Sequence, residues 1–181
     1  MNTSFFYGEL YLIKEVKRMK LLISIITAFN LITNTSTLTE PNTTKFSNLI
    51  DVYILAYDTM LTGINEPILD YIILDMESIY FKDITYEDRQ KAIQYFQKYN
   101  KPVLNASLFK LQQIGLADKL SNLKLKGTLL MMTNIEVSEN NAMIIEGYRY
   151  HSPTGAARFR VTLKEKDDKW KVDKVDLVSV S

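Results

Sequence analysis

At 181 residues, with 46% hydrophobic and 24% charged residues, the chain can bury one core and carry an appendage, which excludes disorder along its length and leaves two full domains cramped. A formal net charge of +1 gives no field to gather a polyanion, so nucleic acid is not an expected partner. Cysteine is absent, which removes thiol catalysis, cysteine-ligated zinc, disulfides and thioether-linked lipid, and leaves packing as the source of stability.

The chain first turns basic between Lys14 and Lys20, then apolar from Leu21 to Ile32, then small and polar over 33–37. An apolar run of about 7–15 residues suits a secretory signal, whereas a membrane-spanning helix needs about 20. The pattern predicts export, with 19–37 as a signal-like segment and an extracellular or envelope-associated destination. No Ala-x-Ala is present, so cleavage rests on Thr33/Thr35 or Thr35/Thr37, and an uncleaved Leu21–Ile32 would tether the domain to a membrane. The alternative is a buried helix of a cytoplasmic fold. The peptide from Lys14 to Met19 is also what a GAGGTG ribosome-binding sequence, an A-rich spacer and ATG would encode. Met19 is therefore the expected start, and residues 1–18 are a mis-assigned leader.

Residues 38–44 read as a polar linker, in which Asn42, Thr43 or Thr44 can accept a free backbone N–H and start a helix. One α+β domain is expected over 45–181. Phe46, Leu49, Ile50, Tyr53, Tyr57, Met60 and Leu61 recur at three- and four-residue spacing, which predicts a helix with one core-facing stripe. The apolar run Tyr71–Met76 reads as a buried strand, although its pattern also fits a turn of buried helix. Thr85 and Asp88 form a capping-box pattern before a helix carrying Ala92, Ile93 and Phe96, which Asn100 and Pro102 stop. Val103–Asn105 reads as extended, and Ser107 caps a further helix through Leu108, Leu111 and Ile114, ending at Gly115.

From there the pattern changes to period two. Leu129–Val137, Ala142–His151, Ala157–Glu165 and Trp170–Val180 read as strands joined by short turns, hence an antiparallel meander. The fold class expected is α+β, with N-terminal helices packed on a C-terminal meander of about four strands.

The segments Gly127-Thr128-Leu129-Leu130, Gly147-Tyr148-Arg149-Tyr150, Gly155-Ala156 and Lys169-Trp170-Lys171-Val172 resemble a group of uncharacterised small exported bacterial proteins. The resemblance implies a cone-shaped domain of the NTF2-like or cystatin-like class. That class holds enzymes, ligand binders and assembly domains, so it implies no activity and carries over no catalytic residue.

His151 is the only histidine, which excludes multi-histidine metal sites and leaves it as a solvated turn residue or a lone catalytic base. Asp58, Asp70, Asp75 and Glu77 lie close along the chain but lack the alternation and glycine of a calcium loop, so no metal site is predicted. Asp75 interrupts an apolar strand and, if buried, must be hydrogen-bonded or have a raised pKa. It is either a structural acceptor or a catalytic acid.

The hairpin offers the fullest cluster, with Tyr148, Arg149, Tyr150 and His151 facing Arg158 and Arg160 across the turn. Alternation places Arg158 and Arg160 opposite the face of Phe159, Val161 and Leu163. If Tyr148 pairs with Arg160, tyrosines flank arginines and form a surface that stacks and binds an anion. If the turn is one residue shorter, Arg149 faces Arg158, and the charges repel unless an anion or acid lies between them. A plain solvated face is the remaining reading. The candidate ligand-binding set is Tyr148, Arg149, Tyr150, Arg158 and Arg160, with no cofactor implied. The leading function is a non-catalytic exported domain binding a small molecule or a protein partner. One alternative is a small hydrolase- or isomerase-like enzyme using Asp75 and His151 in a conical pocket, and the other is a homo-oligomeric assembly module, in the simplest case a homodimer.

Overall fold

The computed structural model of the chain describes residues 49–138 and 140–181, so the expected leader, signal-like segment and linker lie outside the described residues. Helix α1 (Leu49–Thr62) buries Ile50, Tyr53, Tyr57, Met60 and Leu61 as its spacing predicts, and Val52, Ile54 and Ala56 besides. The second set is buried because α1 lies across strands β3 to β6 and is also packed by α2 (Tyr86–Phe96). The N-terminus of α2 is closed by the capping box: Thr85 Oγ1 accepts from the Asp88 amide at 3.1 Å, and the Asp88 carboxylate accepts from the Thr85 amide at 3.1 Å. Asn100, at φ 54°, turns the chain out of the helical path before Pro102.

β1 (Tyr71–Leu74), β2 (Val103–Asn105), α3 (Leu108–Gln113), β3 (Gly127–Val137), β4 (Met143–Ser152), β5 (Gly155–Lys166) and β6 (Lys169–Val180) complete the domain. Ser107 caps α3 by accepting from the Lys110 amide at 3.1 Å, and Gly115 leaves it at φ 80°, in the left-handed region that suits glycine.

The sheet departs from the expected four strands. It has six, in the order β2-β1-β3-β4-β5-β6, and it is mixed: β3 to β6 form the antiparallel meander, while β1 runs parallel to both β2 and β3. The reason lies in β1 itself. Ile72, Ile73 and Leu74 are all fully buried, which is the unalternating pattern of a strand covered on both faces and paired on both edges. On one face, Ile72 and Leu74 join Phe96, Leu130, Ile145, Phe159, Val161 and α1 in the main core. On the other, Ile73 packs with Leu111, Ala117, Leu129 and Tyr150 beneath α3 and the segment that follows it. This second layer covers only the β1–β3–β4 side, and β6 forms the opposite margin.

Among the described residues no helix is long and apolar enough to cross a membrane.

Candidate functional site

The β4–β5 hairpin pairs Tyr148 with Arg158, Glu146 with Arg160, Arg149 with Ala157 and Tyr150 with Ala156, and it closes on Ser152 opposite Gly155. Neither register expected from the sequence occurs. Only Pro153 and Thr154 separate the closing pair, and an irregularity between Tyr150 and Ser152 absorbs the odd residue, so the strands sit closer in sequence than either alternative allowed.

This register divides the predicted ligand-binding set between the two faces of the sheet. Tyr148, Tyr150, Arg158 and Arg160 share one face with Glu146, a residue that the candidate set omits. The Glu146 side chain is buried, and both arginines converge on it: Arg158 Nη2 donates to Oε2 at 2.5 Å, and Arg160 Nε donates to Oε1 at 2.7 Å. Those contacts, Arg158 first and Arg160 next, hold the Glu146 carboxyl below its ordinary range. The acid needed between the charges is therefore part of the strand. The signal for it was its spacing two and four residues before Tyr148 and Tyr150, which puts all three on one face.

The tyrosines are also engaged. Tyr150 is 8% exposed, packs in the second core layer and donates its hydroxyl to the Ser121 carbonyl at 2.9 Å; burial pushes its pKa up. Tyr148 is half-buried against the same layer. On this face two arginines, 39% and 55% exposed, share one carboxylate, which leaves one positive charge over in a network whose tyrosines are already packed.

Arg149 faces the other way, on the side of Ile145 and Gly147, and is only 1% exposed. Its Nη2 donates to the Pro67 carbonyl at 3.0 Å and the Glu66 carbonyl at 3.4 Å. Nη1 lies 3.4 Å from Glu66 Oε2 without a hydrogen bond, and neither Nη1 nor Nε has an acceptor. Burial pushes the guanidinium pKa down, while Glu66 opposes that shift. A guanidinium has five N–H donors and no acceptor, so three donors are buried here without partners.

Arg149 is one of the residues lining a cavity of about 60 Å³, together with His151, Ile64, Glu66, Ala157 and Val180, among others. Gly155 and Ala156 line it as well. The His151 Nδ1 sits 3.2 Å from the Gly127 carbonyl, an acceptor only, so Nδ1 carries the proton and the ring is fixed in the cavity wall.

Asp75 is distant from this arrangement. Its Oδ1 accepts from the Glu77 amide at 3.2 Å, and burial, partly opposed by that bond, raises its pKa. The group closes the turn after β1, while His151 contacts Gly127, which pairs with Tyr71 at the strand's other end. The structure does not bring Asp75 and His151 together. Asp58 is likewise committed, accepting from Tyr95, Lys98 and Tyr99 at 2.9, 2.9 and 2.5 Å and so joining α1 to the end of α2. Among the described residues no cluster of three histidine or acidic side chains could hold a metal ion.

A wider cleft of about 490 Å³ lies between α1, α2 and the β5–β6 turn, lined by Ile54, Leu55, Tyr95 and Trp170. Its Lys91 is paired with Asp51 at 2.5 Å and its Tyr95 with Asp58, so neither awaits a ligand. Arg149 combines a place in a cavity wall with buried donors that lack a hydrogen-bond acceptor; among the described residues Ser78 Oγ, Thr128 Oγ1 and Arg158 Nε are likewise buried without one. No protein family, curated protein or solved structure matches this chain.

Proposed function

We propose that this domain is a non-catalytic binding module whose ligand is a small molecule carrying a carboxylate that seats against Arg149. One observation carries the reading: Arg149, 1% exposed, with Nε and Nη1 lacking hydrogen-bond acceptors and only the half-exposed Glu66 carboxylate 3.4 Å from Nη1, lines a cavity of about 60 Å³. Burying a cation is expensive unless it is paired, and charge-assisted bonds from a guanidinium to a carboxylate are among the stronger ones available. At roughly 30 Å³ per water in the liquid, the cavity has room for about two waters or one carboxylate. The ligand's remaining atoms would stay outside, beyond Glu66. The Glu66 carboxylate, half-exposed and outside hydrogen-bond geometry, is a loose internal substitute that a ligand displaces.

The NTF2-like or cystatin-like class is part of the proposal. An antiparallel meander lying over one long helix supports it, as do irregularities in β3 and β6, since bulges bend strands. Export is supported by the sequence alone, through Lys14–Lys20 and Leu21–Ile32.

Calorimetric titration of the full chain with formate, acetate and longer mono- and dicarboxylates tests the reading, with chloride and inorganic phosphate as comparison anions. Carboxylate binding to the wild type that Arg149→Met abolishes is expected. Equal binding by both proteins would place the ligand elsewhere and overturn the assignment.

A further inference from the structure

Strand β6 is the last in the sheet order, and among the described residues nothing pairs with its outer edge. It is twelve residues long and contains no proline. Val172, Val175, Leu177 and Val180 pair with Leu163, Val161, Phe159 and Ala157 of β5, so all four lie on the core face. Yet they are 38%, 41%, 49% and 63% exposed. The core face thus continues as an apolar stripe to an open edge, an arrangement that exposed strands ordinarily avoid because it templates pairing with another chain.

The charges on the opposite face say which chain. Bulges at Asp173 and Val178 leave 174–177 as a regular stretch, and within it Lys174 and Asp176 share a face and pair with each other at 2.8 Å, with side chains 66% and 40% exposed. When two copies of one strand pair antiparallel about a two-fold axis normal to the sheet, one residue lies opposite its own copy. An axis at Asp173, Lys174 or Asp176 would set like charges directly against each other. An axis at Val175 sets valine against valine, and it sets Lys174 of each copy opposite Asp176 of the other.

The geometry points to β6 as a homodimer interface: two copies join edge to edge about Val175, extending the six-stranded sheet to twelve strands and bringing the two apolar stripes together on the face that carries α1. The charge pairs that select this register stand apart from the Arg149 cavity reading, since neither Lys174 nor Asp176 lines that cavity, although Val180 belongs both to the stripe and to the cavity wall.

A charge-exchange series on the full chain tests this by sedimentation equilibrium. Lys174→Asp and Asp176→Lys each replace the two opposite-charge pairs by like-charge pairs and should weaken self-association about tenfold or more, given that reversing each cross-strand charge pair costs on the order of 1 kcal/mol. Mixing those two variants restores attraction in both pairs and should recover the wild-type dimer, as should the double exchange within one chain. A monomeric wild type would overturn the inference. So would self-association that all the variants retain, which would place the contact on another surface.

Discussion

Arg149→Met is the most informative single change, because the residue that serves the proposed ligand should cost the empty protein stability. The guanidinium is buried with three of its five N–H donors unpaired, against two bonds from Nη2 to the carbonyls of residues 66 and 67. Replacing a buried ion pair by apolar side chains of similar volume is neutral to stabilising by about 1–4 kcal/mol, and removing Arg149 alone approaches that case because the Glu66 carboxylate left behind is half-exposed and stays hydrated. Loss of the Nη2 bonds and of the 3.4 Å contact with half-exposed Glu66 puts this site near the lower end, about 1 kcal/mol in favour of methionine. For a domain of this size that is roughly a 3–5 °C rise in Tm. Carboxylate at a hundred times its Kd would stabilise the wild type by about 2.7 kcal/mol and leave the variant unchanged. The order of the two melting curves should therefore invert between ligand-free and carboxylate-saturated buffer, a crossing readable by differential scanning calorimetry. A ligand-free variant less stable by 1 kcal/mol or more would refute the reasoning, since the guanidinium would then be a structural clamp on the 66–67 loop.

Glu66→Gln removes the carboxylate that competes at 3.4 Å from Nη1, and titration should find tighter carboxylate binding than in the wild type. Glu146→Gln leaves Arg158 and Arg160 without their shared counter-charge and should lower Tm at neutral pH. The Glu146 carboxyl is held below its ordinary value of 4.5, so its contribution is fully present above that value and is lost as pH falls through the lower folded value; acid denaturation curves of the two proteins should converge there. Gly147→Ala would place a Cβ 2.2 Å from the Met131 carbonyl oxygen and 2.8 Å from Met60 Cε. The methionine can shift but the paired backbone cannot, so a loss of about 3 kcal/mol is expected in urea unfolding.

Much of the architecture was legible because its signals are local. The three- and four-residue spacing of Tyr53, Tyr57 and Met60 found α1, the Thr85–Asp88 box found the start of α2, and period-two runs found β3 to β6. Which strands pair is not a local property. The apolar Tyr71–Leu74 run announced burial, but nothing in it names β2 and β3 as parallel neighbours on its two edges. Register failed for a similar reason, since one irregular residue near Ser152 moves every pairing along the hairpin. Arg149 is the instructive case. Alternation alone sets it apart from Tyr148 and Tyr150 and aligns it with Ile145, yet an arginine at a core position is what pattern reading assigns to the surface, because buried charge is rare. The cavity beside it depends on Ile64 and Val180, 85 residues before and 31 after it.

The sheet order also dictates when the parts of the domain come together. The meander closes through tight turns, the β4–β5 hairpin between residues 152 and 155, whereas β1 meets β3 by pairing Tyr71 with Gly127, a span of 127 − 71 = 56 residues. Loop-closure entropy grows with that span and is incurred before any contact repays it. Hairpin assembly of β3 to β6 is therefore expected to precede docking of β1 and β2, which would leave the flank of β3, with Leu129 and Leu130, open to solvent until they dock. The folding chain thus has a transient margin at β3 that its own β1 closes, while the finished sheet ends, among the described residues, on β2 at one side and on β6 at the other.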